Sequence, residues 1–240
     1  MSSEFDWQEA FRVFQKAMVA FQEKIQPIIK ELDASIKKNA PLLERIRLNF
    51  IFLELAKKNQ LVIVWNTTDA ERDYIISSEN PQAALFNVFK KNDYTLLNSI
   101  ISSTKESGSI PSHAMSIYDE AVKAYFAHLY NPCIMALFPI IDNLLTKITQ
   151  NHNTSFDARL KSIEQSMQAF SFTAFTYTVL GVMFSFSRQS DFKNGTEPNE
   201  LNRHWLLHGR STRKVSSEDC IKVFCFILAL TILDQAQNID

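Results

Sequence analysis

Glycine is scarce in this chain, which holds 4 glycines and 7 prolines among 240 residues. Tight turns usually need glycine, because its backbone reaches positive φ angles without strain. A sheet protein of this length needs many such turns, so the composition favours long helices joined by few connections. Hydrophobic residues make up 46% of the chain, which is enough to bury a sizeable core. We therefore predict an all-α helical bundle.

The first hundred residues read as a series of helices. An apolar face with three- and four-residue spacing predicts a helix over about 5–38, kinked or interrupted at Pro27. The residues of that face are Phe11, Phe14, Met18, Phe21 and Ile25. Pro41 is typical of the first turn of a second helix, over 42–58. The β-branched run 61–65 fits a strand or a buried helical turn equally well.

A polar stretch over 102–112 follows a helical run that opens at Asn80 and Pro81 and reaches Ile101. It ends in a helix-start signal, so we predict a linker there. The stretch divides the chain into an N-terminal helical region over 1–110, whose role the sequence does not show, and a helical domain over 111–240.

The second half has a more regular helical pattern. We predict helices over 113–129, 133–148, 157–186, 198–208 and 220–235. The helix over 133–148 is apolar nearly all round, so we expect it at the centre of the bundle. The segment Ser216–Asp219 is a good cap for the last helix.

The net charge of −1 provides no global positive field that would attract nucleic acid. Any RNA contact must therefore come from a local patch. The candidate patch is Arg203, Arg210, Arg213 and Lys214, which lie within twelve residues. A solvated basic loop is the equally plausible alternative.

The three cysteines, Cys133, Cys220 and Cys225, show no CxxC pair and no metal-ligand spacing. We interpret them as reduced core residues of a cytoplasmic protein. The N-terminus lacks the basic and apolar regions of a secretory signal. The uncharged stretch 165–187 is long enough to span a bilayer, but it is rich in polar side chains, so we expect no membrane span.

Groups that move protons and groups that hold anions crowd into the segment Asn202–Arg210. Arg203 and His208 are five residues apart, or about 140° around a continuous helix. Gly209 is a natural residue to end the helix, and this frees His208 from the helical register. His204 and His208 are four apart and share a face. Such a pairing suits phosphodiester chemistry.

The segment resembles the signature of the HEPN (higher eukaryotes and prokaryotes nucleotide-binding) family: an Arg, a polar residue, three to five further residues and a His, late in an all-helical domain. Here these are Arg203, His204 and His208. Residues 117–125 and 136–145 look like the helix pair of bacterial members, with Asp142 as the acidic residue after Pro-Ile-Ile. The resemblance covers roughly residues 111–240.

The resemblance implies a metal-independent endoribonuclease with no cofactor, which acts in bacterial antiviral defence or stress response or as a toxin. A ribose 2′-hydroxyl would attack the adjacent phosphate and leave a 2′,3′-cyclic phosphate. Arg203, His208 and His204 would be catalytic, with Asn202 and Asp142 in support; Asp142 would hold Arg203. The basic residues Arg210, Arg213 and Lys214 would contact RNA. A homodimer would complete the site.

Two other functions remain open at the level of the sequence. The first is a non-catalytic nucleotide-binding, dimerisation or regulatory module of the same fold. The second is a toxin controlled by a nucleotidyltransferase partner. Toxins of that type carry a tyrosine two residues after the histidine, and this chain has Arg210 there. Tyrosine modification at the motif is therefore not expected.

Overall fold

The computed structural model describes residues 7–150 and 195–237, together with positions 158, 159, 163, 178, 179, 181 and 182. All regular secondary structure in this part of the chain is α-helical, which confirms the all-α prediction. The described helices are α1 Trp7–Lys58, α2 Asp69–Ser77, α3 Pro81–Glu106, α4 Ser112–Phe126, α5 Tyr130–Thr149, α6 Arg203–Leu207 and α7 Ser217–Gln237. The predicted helix over 157–186 and the uncharged stretch 165–187 lie almost wholly outside the described residues.

The chain forms two compact units, Met1–Asn49 and Phe50–Asp240. The boundary predicted at residue 110 falls inside the second unit, because α3 packs against α7 and joins the two predicted regions. The predicted polar linker is also shorter than expected. It is helical as far as Glu106, and Ile110 within the remaining connection is 4% exposed.

Helix α1 runs through Pro27 and Pro41, so the predicted break between two helices is wrong. A proline removes one intrahelical hydrogen bond and bends the helix, but the turns on either side can continue. The helix ends where Gln60 takes a left-handed φ of 56° and Leu61 N–H donates to Ala56 O at 2.9 Å. The run 61–65 is neither strand nor helix, and its first three residues are buried.

Helices α5 and α7 form the centre of the second unit. Helix α5 packs against α4, α6 and α7, while α7 also packs against α3. The prediction of a central helix over 133–148 is thus confirmed, with the helix beginning earlier, at Tyr130. By length and composition α5 could cross a bilayer, and half of its most apolar window is buried in the unit. One side of α5 is accessible along its length, with Asn131, Pro132, Met135, Pro139 and Lys147 exposed and Asp142 half-buried.

The connection into α7 ends in a cap made by two polar side chains. Ser216 Oγ accepts a hydrogen bond from Asp219 N–H at 3.3 Å, and Asp219 Oδ2 accepts one from Ser216 N–H at 3.0 Å. This reciprocal pattern is a capping box, which confirms the predicted cap. The preceding helix, α6, is shorter than predicted. It begins at Arg203 rather than at Pro198, and residues 195–202 are not helical.

Candidate functional site

The Arg–His motif lies on α6, a helix of five residues held at both ends. At its start, Asn202 Oδ1 accepts a hydrogen bond from Trp205 N–H at 3.2 Å. Asn202 is 4% exposed. Its carboxamide therefore caps the helix from a buried position, whereas the resemblance implied a supporting role for Asn202 in catalysis.

Gly209 ends the helix, as predicted. Its φ is +63°, His208 is the C-cap, and Gly209 N–H donates to Leu206 O at 3.0 Å. Arg210 N–H donates to Trp205 O at 2.9 Å. These two bonds make a Schellman motif, which turns the chain sharply away from the helix axis. His208 is thus placed at a helix end, where its side chain is exposed.

The two histidines of the motif lie side by side. The ring centroids of His204 and His208 are 6.2 Å apart, and the ring planes are within 8° of parallel. This confirms that the two residues share a face. His208 is exposed and His204 is half-buried, so the pair presents one accessible imidazole backed by a second one.

Arg203 lies between the solvent and α5. Its side chain is 18% exposed, and its Nη2 lies 4.0 Å from Asp142 Oδ1. The structure therefore brings Arg203 and Asp142 together across sixty-one residues of sequence, as the resemblance implied. The contact is an ion pair at the outer limit of distance rather than a hydrogen bond.

Asp142 has a closer partner, Arg159, which the sequence analysis missed. Arg159 Nη2 donates to Asp142 Oδ1 at 2.6 Å, and its Nη1 donates to Asp142 O at 3.2 Å and to Thr146 Oγ1. Arg159 is 8% exposed, whereas the side chain of Asp142 is 39% exposed. Arg203 was expected to be the partner of Asp142, but the nearer cation is Arg159. No spacing rule singles out one cation among the 25 lysines and arginines of the chain.

An open groove of about 540 Å³ runs beside Asp142 along α5. Its walls carry both apolar and amide or cationic side chains, namely Pro111, Pro139, Asn143, Thr146, Lys147 and Gln150. Such a mixture can hold a planar, polar ligand.

The predicted RNA-binding residues divide into two groups. Arg210 and Lys214 are exposed. Arg213 is instead half-buried, and its Nη2 donates to Asp219 Oδ2 at 2.7 Å. Asp219 also pairs with Lys222 at 3.1 Å. Arg213 therefore holds the start of α7, whereas Arg210 and Lys214 lie at exposed positions.

Two side chains outside the motif fix the backbone on either side of it. Gln60 donates from Nε2 to Leu201 O at 3.1 Å and accepts at Oε1 from Leu201 N–H at 2.9 Å. Glu197 accepts hydrogen bonds from Ser211 Oγ and Thr212. Although slight burial opposes it, hydrogen bonding by Ser211 and Thr212 lowers the pKa of Glu197. The loop that carries the motif is thus closed at both ends.

Comparison of the chain with protein-family models, with curated proteins and with solved structures gives no match. The resemblance to the HEPN family remains a prediction made from the residues of the motif and of α5.

Proposed function

We propose that this chain is a metal-independent endoribonuclease of the HEPN type. In the proposed reaction the 2′-hydroxyl of a ribose loses its proton and attacks the adjacent phosphorus. The bond from phosphorus to the 5′-oxygen of the next nucleotide breaks, and that oxygen takes up a proton. The products are a 2′,3′-cyclic phosphate and a 5′-hydroxyl, so the reaction needs one proton acceptor, one proton donor and a cation for the phosphate.

The observation that carries the proposal is the pairing of Arg203 with Asp142 beside the parallel rings of His204 and His208. Imidazole takes up and releases protons near neutral pH, so His208 can move the proton of the 2′-hydroxyl. It is the exposed member of the pair, which suits contact with substrate. His204 supports its neighbour and contacts the phosphate.

Arg203 stabilises the negative charge that develops on the phosphate in the transition state. A guanidinium is planar and always charged, so it can donate two parallel hydrogen bonds to phosphate oxygens. The carboxylate of Asp142, 4.0 Å from Arg203 Nη2, limits the rotamers of the guanidinium. Asp142 in turn is fixed by Arg159.

RNA reaches this centre along the exposed cations Arg210 and Lys214 and the groove beside Asp142. Cations at such positions neutralise backbone phosphates and make affinity depend on salt. As in the family that the chain resembles, a second copy completes the site, so that two motifs face one scissile phosphate. A role in antiviral defence or stress response follows from the same resemblance.

The decisive experiment compares His208→Ala and Arg203→Ala with His113→Ala, which removes an exposed histidine of α4. Loss of a proton-transfer group lowers kcat by about 10²- to 10⁴-fold, and loss of one oxyanion donor lowers it by about 10²- to 10³-fold. Because Asp142 keeps Arg159 as a partner, Arg203→Ala should leave the fold intact. His113→Ala should cleave at the wild-type rate.

The chemistry of the reaction has its own test. A single 2′-deoxyribose at the cleaved position should abolish cutting there, and the 3′ end of the upstream product should carry a cyclic phosphate. Addition of EDTA should leave the rate unchanged. Nucleotide binding without cleavage would instead favour the non-catalytic module, and full activity in His208→Ala or Arg203→Ala would refute the proposed site.

A further inference from the structure

Helix α1 carries a seven-residue repeat along most of its length. Its sequence has a series of residues spaced alternately three and four apart, nearly all of them apolar. The alternation is interrupted once, at Ile25, where two steps of four follow each other. The positions are Phe11, Phe14, Met18, Phe21, Ile25, Ile29, Leu32, Ile36, Asn39, Leu43, Ile46, Phe50 and Leu53. A repeat sustained over more than three heptads is the sequence signature of a coiled coil. Asn39 is the single polar member of the series.

The described residues of this series in the first unit are exposed. Leu43 is 54% exposed and Ile46 is 43% exposed, and Leu42 beside them is 58% exposed. Asn39 is exposed as well. Contiguous apolar side chains in contact with water are uncommon on a folded monomer and mark surfaces that bind a partner.

The prolines of α1 are placed where they spare this stripe. Pro27 lies two residues from both Ile25 and Ile29, and Pro41 lies two residues from both Asn39 and Leu43. Two residues correspond to about 200° around the helix, so each proline falls on the opposite side. An interior proline destabilises a helix. Since α1 is the only described element of its unit, packing along the stripe is the means of offsetting that cost.

We propose that α1 pairs in parallel and in register with α1 of a second copy of this chain. Asn39 indicates that the partner helix is a second copy of α1. In an in-register parallel pair its amide meets the amide of the other Asn39, and the two can hydrogen-bond. In an antiparallel or shifted pair the amide would be buried against apolar side chains, which costs free energy.

The flanking positions and the length of the helix agree with self-pairing. The flanks around the exposed stripe carry little charge, with Ser35, Ala40, Leu42 and Arg47, so like charges do not oppose a pair of identical helices. The part of α1 in the first unit is about 64 Å long. With a contact strip about 10 Å wide, the pair buries roughly 1,300 Å² in total, which lies within the range of stable interfaces.

This pairing does not rest on the proposed ribonuclease activity, and its test does not use RNA. In the full-length protein, Asn39→Cys is expected to form a disulfide-linked dimer on mild oxidation, because the two residues face each other across the pair. Lys38→Cys is the matched control. Lys38 precedes Asn39 by one residue, or about 100° around the helix, and so lies on the side that faces away from the partner helix. The native cysteines are fully buried and do not interfere. Equal cross-linking of both variants, or of neither, would overturn the proposal.

A second pair of variants separates this interface from any contact between the second units. Leu43→Glu combined with Ile46→Glu places charges in the stripe at exposed positions, so the fold should be kept. Lys30→Gln combined with Lys38→Gln makes the same change in net charge at exposed positions outside the stripe. In the Asn39→Cys background, the first pair should lose the cross-link and the second should keep it.

The mass of the unmodified chain, measured by light scattering, should be that of a dimer or a larger assembly. Loss of the cross-link in a chain that stays dimeric still supports pairing of α1 and assigns the remaining contact to the second unit. A monomeric wild-type chain, or a cross-link that survives Leu43→Glu with Ile46→Glu, would refute the pairing.

Discussion

Removing the side chain of Gln60 should loosen the motif from a distance. Gln60 is 2% exposed, and its amide makes two hydrogen bonds, of 3.1 and 2.9 Å, with the main chain of Leu201. Leu201 is fully buried and immediately precedes the cap of α6. In Gln60→Ala both main-chain groups of Leu201 lose their partners. Each unsatisfied buried group costs about 1–3 kcal/mol, so we expect a loss of about 2–6 kcal/mol.

The backbone at Gln60 allows a finer comparison. Its φ of 56° is left-handed, which costs a residue with a Cβ roughly 1–2 kcal/mol relative to glycine. Gln60→Gly loses the same hydrogen bonds as Gln60→Ala but relieves this strain. It should therefore be the more stable of the two variants by about 1 kcal/mol, after allowance for the greater freedom of glycine in the unfolded chain.

Urea unfolding measures both differences, and amide exchange locates them. Exchange at Leu206 N–H, which bonds to Asn202 O, should accelerate in Gln60→Ala more than exchange in α5. Asn59→Ala is the control, since the Asn59 amide donates to Leu55 O within α1, and its loss should cost about 1 kcal/mol. If Gln60→Ala unfolds at the same urea concentration as the wild type, and amide exchange in α6 is unchanged, the two hydrogen bonds between Gln60 and Leu201 do not stabilise the protein.

Three further predictions concern the turn, the acid limb and the buried thiols. Gly209→Ala should cost about 1–2 kcal/mol in urea unfolding because φ is +63°, while open space around the added methyl excludes a clash. Burial alone would raise the pKa of Asp219, but Lys222 and Arg213 outweigh burial and lower it. The ionised Asp219 therefore contributes stability above its unfolded pKa near 4, and this contribution is lost as the pH falls through the lower pKa of the folded protein. Asp219→Asn should flatten stability against pH in that window. Burial raises the pKa of the Cys225 thiol, so it should resist thiol reagents until the protein is unfolded, and rapid labelling of the native protein would contradict this.

Local sequence signals predicted the parts of the fold that depend on neighbouring residues. The cap at Ser216 and Asp219, the left-handed Gly209 and the shared face of His204 and His208 all follow from spacings of a few residues. The apolar run of α5 correctly placed that helix at the centre, because a helix that is apolar on nearly every side can only be stable when it is buried.

Contacts between distant residues could not be predicted in the same way. Arg159 binds Asp142 through a geometry that no sequence spacing encodes, and Gln60 reaches Leu201 across 141 residues. The start of α6 was misplaced because Pro198 is a good first residue of a helix, whereas Asn202 supplies the cap that the structure uses. The sequence prediction wrongly divided α1 at Pro41. Whether the helix continues depends on the turns beyond the proline rather than on the proline itself.

The clamp between Gln60 and Leu201 also sets an order of events during synthesis. Gln60 is translated 141 residues before Leu201, whose backbone it binds. The apolar side of α5 that packs against α7 stays uncovered until α7, which follows the motif in the sequence, has been translated. The packing around α5, the helix that carries Asp142, is therefore incomplete while α7 is still inside the ribosome. The proposed nuclease site would therefore be incomplete during the time when its own chain is surrounded by ribosomal and messenger RNA.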